Sequence, residues 1–363
     1  MKTAPRMKRN NWLILLAIGL MSQGDIRFVS AATVSYTILN PTESISTYAT
    51  AVSGNNVVGY YFTIDSTVSH AFLWNGSSYT TLTPAGSTGT YATAVSGNNV
   101  VGYYLDASGN QHGFFWNGST YSTLNPTATA IGTQATAISG NKVVGIYYQD
   151  SYDNVQSFLW DGSSFTILNP PSVASNCQAT CISGNTVVGT YYIDYGQSAF
   201  VWDGSTWTTV NVPDSDNTYG GNISGGKVVG EYDGWGTGTS LGFLWDGKTY
   251  TTVAPPGATD ANAEGNSGDN VVGTYVTGDD GTGPKHGFLW DGSTYTNIDP
   301  PGTKNTWLVA IDGMKMVGTY EDTDGVFYGV VGTIESVPEP SMLALLAFGS
   351  LAVPKRRRRT TTV

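Results

Sequence analysis

Short runs of alternating apolar and polar residues recur about every 43 residues between positions 34 and 334. Each unit holds four of them, which we label a to d: a small-residue run such as ATAVSG, the run NVVGYY, a run ending in FLW, and an aromatic run such as YTTL. This length and alternation are typical of half-buried β-strands. The pattern predicts units of four short antiparallel strands.

A Val-Val-Gly triplet in run b marks each unit most clearly. The triplet, once varied to Met-Val-Gly, begins at Val57, Val100, Val143, Val187, Val228, Val271 and Met316. In six units, run c ends at a tryptophan that is followed by Asn-Gly or Asp-Gly. Both residues of such a pair tolerate positive φ, so we predict type I′ hairpin turns between runs c and d. The chain is therefore predicted to form seven antiparallel four-stranded meanders.

The order of the runs at the two ends predicts a closed ring. A d-type run at Tyr36–Leu39 precedes the first a run, whereas the last unit ends with the c-type run from Phe327. Seven complete units arise only if the N-terminal strand completes the last one. We therefore predict an all-β fold, a seven-bladed β-propeller over residues 33–335 that is closed by the N-terminal strand. A β-helix or a β-sandwich is the alternative.

Residues 1–32 have the layout of a secretory signal peptide. Four basic residues precede the apolar run Trp12–Met21, and small residues at Ser30–Ala32 offer a cleavage site. The apolar run is too short to span a bilayer. We expect the chain to be exported.

Residues 336–363 resemble the PEP-CTERM sorting signal of Gram-negative bacteria. Pro338, Glu339 and Pro340 are followed by the apolar run Met342–Val353 and a basic cluster that starts at Lys355. The charge placement agrees with the positive-inside rule. The resemblance implies transient anchoring in the inner membrane and processing by an exosortase-type partner. The expected location is the cell surface or the extracellular space.

The run HAFLW at His70–Trp74 resembles the HAF extracellular repeat family, with further matches at His112 and His286. The other four units depart from the family at this position, where they have Gln156, Ser198, Leu241 and Tyr328. The resemblance implies an exported repeat protein and brings no activity. Since the three histidines share one repeat position, we interpret them as structural rather than catalytic.

The charge balance excludes nucleic acid as a partner. Residues 33–337 contain six lysines, no arginine and 25 acidic residues, a net charge of −19, and such a surface repels phosphate backbones. We expect most of this acid in the variable b–c and d–a loops on one face of the ring, where function is also expected. Asp233 is assigned to a b–c loop, and Asp260 and Glu264 to a d–a loop.

Two groups of loop carboxylates are candidate calcium ligands, because calcium prefers carboxylate and carbonyl oxygens. They are Asp279 and Asp280, and Asp322 and Asp324. No full twelve-residue calcium loop is present, and solubility of a glycine-rich surface is the alternative explanation for the acid. No other cofactor is expected.

Two cysteines, Cys177 and Cys181, are expected to be apolar fillers of a strand. An extended segment would separate their Cα atoms by about 13 Å, too far for a disulfide without a bend. Two cysteines alone also cannot complete a metal site.

The chain carries no catalytic motif of a serine hydrolase, a zinc protease or a nucleotide-binding enzyme. The run at Asp203–Trp207 is similar to the Asp-box of sialidases, but residues 33–337 contain none of the arginines that those enzymes use. We expect a monomeric, non-enzymatic surface or matrix protein that binds polysaccharide or other exported components through the variable loops. The alternative is a carbohydrate-active hydrolase or lyase, which an asymmetric carboxylate cluster with tyrosine in one pocket would favour.

Overall fold

The computed structural model describes residues 33–64, 66–170, 174–193, 196–234, 236, 238–278 and 282–335. Within this part of the chain, 28 strands form seven antiparallel four-stranded sheets, the blades. The strands belong to one compact unit, Val34–Glu335, and the seven-bladed β-propeller is confirmed. No helix among the described residues is long and apolar enough to cross a membrane. The proposed signal peptide and sorting segment lie outside these residues.

The strands follow the order a to d in every blade. Blades 1 to 4 consist of β2 Ser44–Ser53, β3 Asn56–Thr63, β4 Ser66–Trp74, β5 Tyr79–Leu82; β6 Gly89–Ser96, β7 Asn99–Leu105, β8 Gln111–Trp116, β9 Tyr121–Leu124; β10 Gly132–Ser139, β11 Lys142–Tyr148, β12 Val155–Trp160, β13 Phe165–Leu168; β14 Ala174–Ser183, β15 Thr186–Ile193, β16 Gly196–Trp202 and β17 Trp207–Val210. Blades 5 to 7 consist of β18 Ser215–Ser224, β19 Lys227–Gly234, β20 Ser240–Trp245, β21 Tyr250–Val253; β22 Ala258–Ser267, β23 Asn270–Thr277, β24 Lys285–Trp290, β25 Tyr295–Asn297; β26 Thr303–Asp312, β27 Lys315–Asp322, β28 Phe327–Glu335 and β1 Thr33–Leu39.

The N-terminal strand β1 closes the ring as the outermost strand of blade 7, next to β28. Leu39 at its end is fully buried in a cluster shared with blade 1. The next residue, Asn40, donates its backbone N–H to the hydroxyl of Tyr79 in blade 1 over 3.0 Å. At the a–b turns, Gly54 N–H donates to Oδ2 of Asp312 over 2.7 Å. The predicted closure is therefore confirmed.

The Val-Val-Gly triplet is explained by a β-bulge in strand a. In blade 3 the bulge leaves Thr136 without a partner on strand b. A Cβ atom at Gly145 would lie 2.2 Å from the Gln134 carbonyl oxygen and 2.6 Å from the fully buried Phe158 ring. In every blade, a Cβ on the corresponding glycine would lie within 2.2 Å of a carbonyl oxygen. Glycine is thus required by close backbone approach.

The bulged residue also links neighbouring blades. Thr136 Oγ1 donates a 2.8 Å hydrogen bond to the carbonyl oxygen of Ala179 in blade 4. The same 2.8 Å bond joins Thr50 to Ala92, Thr93 to Ala135 and Thr180 to Gly220. Blades 5, 6 and 7 have Gly221, Glu264 and Val309 at this position. The inner wall of the ring is therefore regular in blades 1 to 4 and irregular in the rest.

The c–d links are hairpins, but the predicted type I′ turn is wrong. In blade 1 the loop has four residues, 75–78, and of the Asn75–Gly76 pair only Gly76 has positive φ. Asn75 Oδ1 accepts the backbone N–H groups of Ser77 and Ser78 over 3.0 and 2.9 Å. The asparagine side chain thus caps a longer loop, as Asx turns do.

The cysteine prediction agrees with the structure. Cys177 and Cys181 are both free and lie on β14. Burial raises the pKa of the Cys177 thiol to about 12, which suits an inert filler of the core.

Candidate functional site at the channel mouth

The central channel is lined by the seven a strands, each of which contacts the a strand of the next blade. The a–b and c–d turns lie at one face of the ring, which we call the turn face, and the b–c and d–a loops lie at the other, the loop face. We define the channel mouth as the loop-face end of the channel. Seven cross-strand pairs, one from each blade, lie at this level in the loop-face halves of strands a and b. These pairs are Tyr48 with Tyr60, Tyr91 with Tyr103, Gln134 with Ile146, Gln178 with Thr190, Tyr219 with Glu231, Asn262 with Thr274, and Trp307 with Thr319.

Blades 7, 1 and 2 supply a continuous row of partly exposed aromatic rings, which we call the aromatic arc. In spatial order the arc consists of Trp307, Phe327, Tyr48, Tyr60, Tyr91 and Tyr103. Successive ring centroids lie 5.9, 5.6, 4.9, 4.9 and 4.8 Å apart. These separations are those of stacked and edge-to-face aromatic pairs, which hold one another in fixed orientations.

A cavity of about 400 Å³ opens beside the arc, between blades 7 and 1. Its walls are predominantly apolar. The lining side chains include Tyr48, Tyr60, Trp307, Val309 and Phe327. Its volume lies within the range of small-ligand sites, roughly 300–1,000 Å³. The mouth therefore combines a preformed hollow with partly exposed aromatic rings.

Blades 5 and 6 supply a carboxylate cluster beside the arc, formed by Glu231, Asp233, Asp260 and Glu264. Glu231 and Asp233 lie on β19, and Asp260 and Glu264 lie on β22. The assignment of Asp233, Asp260 and Glu264 to loops was therefore wrong: these positions pair within sheets or, for Glu264, form the bulge. Glu231 was missed because it replaces a residue that is Tyr60 in blade 1, inside an otherwise apolar strand.

Burial in the cluster raises the pKa values of Glu231, Asp260 and Glu264. Burial, reinforced by the nearby charges of Glu264, Asp233 and Asp260, raises the pKa of Glu231 to about 7. Burial also raises the pKa of Glu264, partly offset by a hydrogen bond from Asn262 and by the charge of Lys285. Glu264 remains open to water in the channel, but the channel walls exclude much of the bulk solvent around it. These carboxyl groups are thus poised to bind protons or other cations.

Polar neighbours hold the cluster in place. Asp233 Oδ2 accepts hydrogen bonds from Asn217 Nδ2 over 2.9 Å and from the Tyr219 hydroxyl over 3.2 Å. Ser240 Oγ donates to Asp233 Oδ1 over 2.6 Å. Burial and the charge of Asp233 raise the pKa of Tyr219 to about 12, so this tyrosine keeps its proton and serves as a donor.

A second, smaller cavity of about 150 Å³ lies within the cluster. Tyr219, Glu231, Asn262 and Glu264 are among its lining residues. Oδ1 of Asn262 is shielded from solvent and accepts no hydrogen bond from the described part of the chain. An enclosed acceptor without a donor is costly, so this cavity is suited to a ligand that donates hydrogen bonds.

We predict that Glu231 makes the protein less stable as the pH rises from about 4.5 to about 7. Its pKa is higher in the folded state than in the unfolded chain, so the folded state binds more protons within this window and loses that advantage above it. The loss is roughly 1–2 kcal/mol, after allowance for the solvent screening of a partly exposed carboxyl group. The free energy of unfolding, measured in urea between pH 4.5 and pH 7, should lack the decline due to Glu231 in the variant Glu231→Gln. The surface variant Asp153→Asn should retain it, and an identical decline in Glu231→Gln would contradict the prediction.

The two described calcium candidates, Asp322 and Asp324, lie at the link between β27 and β28. Asp322 Oδ1 accepts the backbone N–H groups of Asp324 and Val326, each over 2.9 Å, so it caps its own turn. Asp279 and Asp280 lie outside the described residues, as do Pro338, Glu339 and Pro340 of the sorting motif. In the described ranges, no group of three or more His, Cys, Asp or Glu side chains could hold a metal ion. Calcium binding stays a prediction.

The three histidines share a structural environment. His70, His112 and His286 each lie against a tyrosine of strand b, with ring centroids 5.2–5.3 Å apart. His112 also contacts Asp106 over 2.9 Å, and His286 contacts Asp299 over 2.7 Å. A repeated His–Tyr stack agrees with their interpretation as structural residues.

Comparison with solved structures gives propellers at low identity. The β-propeller domain of the trilobed protease from Pyrococcus furiosus has a TM-score of 0.57 and 10% identity, over 81% of this chain and 100% of that one. The uncomplexed acylaminoacyl peptidase of Pyrococcus horikoshii has a TM-score of 0.53 and 10% identity, over 77% of this chain and 50% of that one. This chain therefore spans about half the length of the peptidase. No family model and no curated protein matches the chain.

These similarities show the fold alone. The Pyrococcus furiosus propeller is described as having an open velcro topology, whereas β1 closes blade 7 in this chain. The function is therefore inferred from the residues at the channel mouth.

Proposed function

We propose that this protein is an exported repeat protein that binds polysaccharide at its channel mouth. The aromatic arc carries the proposal. The apolar faces of sugar rings stack on aromatic faces, and the arc offers six rings beside a cavity of ligand size. The carboxylates and amides of blades 5 and 6 would accept hydrogen bonds from sugar hydroxyls and fix the orientation of the ligand.

The positions of the chain ends agree with such a role. A Cβ atom at Gly332 on β28 would lie 3.4 Å from Cγ1 of Val34 on β1, so the first residues of β1 lie beside the last residues of β28. Strand c runs toward the c–d turn, and β28 therefore ends at the turn face. The described ring therefore begins and ends at the turn face, opposite the mouth. The signal peptide and the resemblance to a sorting signal support export of the protein.

The prediction that tests binding concerns Trp307, which lines the cavity next to the arc. A glycan-array screen of the purified full chain should show saturable binding, and Trp307→Ala should weaken it at least about tenfold, as expected for an aromatic anchor. Trp290→Ala, the same change at the turn face, should keep the affinity of the natural chain. Equal loss in both variants, or no binding by the natural chain, would refute the proposal.

A second candidate function is favoured by the carboxylate cluster. Glu231, with a pKa raised to about 7, suits a general acid near neutral pH, and a second carboxylate such as Glu264 lines the same cavity. An asymmetric cluster of carboxylates with tyrosine in one pocket favours the enzyme alternative. Product analysis of the bound glycan separates the two functions: an unchanged glycan supports binding alone, whereas shortened or unsaturated products establish a hydrolase or a lyase.

A further inference from the structure

We propose that the sugar bound at the channel mouth carries protonated amino groups. This inference rests on the proposed function, because it names the class of polysaccharide that the same site takes. It is carried by three properties of the mouth: its aromatic cavity, the charge beside that cavity, and an enclosed acceptor without a partner.

The aromatic cavity is the place where the ligand binds. Trp307 and Phe327 line it, and their rings, 5.9 Å apart, continue into the stack of Tyr48 on Tyr60. Aromatic faces attract cations as well as sugar rings, with tryptophan the strongest. An amino sugar therefore satisfies both properties of the arc: its ring stacks, and its ammonium group lies over a neighbouring ring face.

The charge around the cavity selects the sign of the ligand. Blade 6, which carries Asp260 and Glu264, is the neighbour of blade 7, which carries Trp307. The carboxyl groups of blades 6 and 5 thus continue the mouth from the end of the arc, and burial disfavours the charged forms of Glu231, Asp260 and Glu264. Lys285 offsets part of this charge at Asp260 and Glu264, and residues 33–337 contain no arginine. A cationic ligand relieves the repulsion, whereas a uronic acid polymer would add to it.

The enclosed acceptor selects a hydrogen-bond donor. Asn262 lines the cavity together with Glu231 and Glu264, and its Oδ1 is shielded and lacks a donor from the described residues. An ammonium group has three donors and no acceptor. Inside the cavity it can donate to the carboxylates of Glu231 and Glu264 at once and, after a turn of the Asn262 side chain, to this amide oxygen; a neutral hydroxyl donates less strongly.

The test uses three oligosaccharide probes of equal length: a glucosamine hexamer, an N-acetylglucosamine hexamer and a uronic acid hexamer. Isothermal titration calorimetry on the full chain, at low salt and at a pH where the amines are protonated, measures each affinity. We expect the glucosamine hexamer to bind at least about tenfold more tightly than its acetylated counterpart, and the uronic acid hexamer to bind weakest. Added salt should reduce the preference.

Variants locate the origin of the preference. Glu231→Gln with Glu264→Gln should lower the ratio of the first two affinities about tenfold. Asp153→Asn with Asp269→Asn, which removes the same net charge outside the carboxylate cluster, should leave the ratio unchanged. Thermal unfolding of each variant shows that it is folded, and neutralising Glu231 should not destabilise the ring, because it removes repulsion.

Two results would overturn the inference. Equal binding of the amino and acetylated hexamers would show that the mouth does not select cations, while glycan binding would stand. An equal fall in the ratio for the control pair would show an effect of overall charge rather than of the mouth. If none of the hexamers binds and the glycan array is also blank, the proposed function fails together with the inference.

Discussion

Replacing Gly145 with alanine is expected to destabilise the ring by about 3 kcal/mol or more. The added Cβ would lie 2.2 Å from the Gln134 carbonyl oxygen and 2.6 Å from the ring of Phe158. The carbonyl belongs to backbone that the bulge holds in place, and the phenylalanine is fully buried. Neither neighbour can move without opening the interface between strands a and b. Urea unfolding of the full chain should show a clearly lower midpoint.

Gly140→Ala is the matched control, because it makes the same change in the same blade. Gly140 has φ of +62° in the a–b turn, and a Cβ there would meet nothing within 4 Å. Only backbone strain opposes this alanine, at a cost of about 1–2 kcal/mol. If Gly145→Ala costs no more than Gly140→Ala, the close-approach explanation of the Val-Val-Gly triplet is wrong.

Removing residues 33–39 is expected to have the second large effect. Blade 7 would lose its outermost strand β1, and β28 would become an exposed sheet edge, which is a template for aggregation. Leu39 is fully buried, and its replacement by alanine alone should cost about 2–5 kcal/mol. The deletion also removes the strand that precedes Asn40, whose backbone N–H donates to the hydroxyl of Tyr79. Size-exclusion chromatography and thermal unfolding should show aggregation and a much lower midpoint.

A permuted chain is the control for this deletion. In it, residues 33–41 follow Glu335 through a short loop, so that the same strand completes blade 7 from the other end. Because β1 begins beside the end of β28, a tight hairpin can make this connection. The permuted chain should recover a monomer with a midpoint near that of the natural chain. A deletion variant as stable as the natural chain would contradict closure by β1.

The architecture was predictable because the repeats encode it redundantly. Every unit repeats a buried pair on strand b, Val-Val in six blades and Met-Val in blade 7, and six blades have a fully buried phenylalanine on strand c. A mistake in one unit is therefore corrected by the others. The offset between Tyr36–Leu39 and the incomplete last unit fixed the closure. Turn chemistry was predicted less well, because the sequence does not show that the Asn75 side chain caps a four-residue loop.

The candidate site was largely missed for the opposite reason. Its residues are departures from the repeat, such as Glu231 at the position of Tyr60, or Glu264 at the position of Thr50. A consensus sequence of the seven units hides such departures. The expectation that acidic residues lie in loops also hid the acidic residues that lie on strands. An alignment of the seven units that marks charged residues within strands a and b would have located Glu231 and Glu264 from the sequence.

Hydrogen exchange of the full chain, with and without the tightest-binding glycan of the array, tests the central claim that the channel mouth is the binding site. We predict slower exchange at the loop-face halves of strands a and b in blades 5, 6, 7, 1 and 2, including the segments around Glu231, Trp307 and Tyr48. The turn face, around Asp246 and Trp290, should exchange at an unchanged rate. Protection confined to the turn face or to the outer strands, with none at the mouth, would contradict the account.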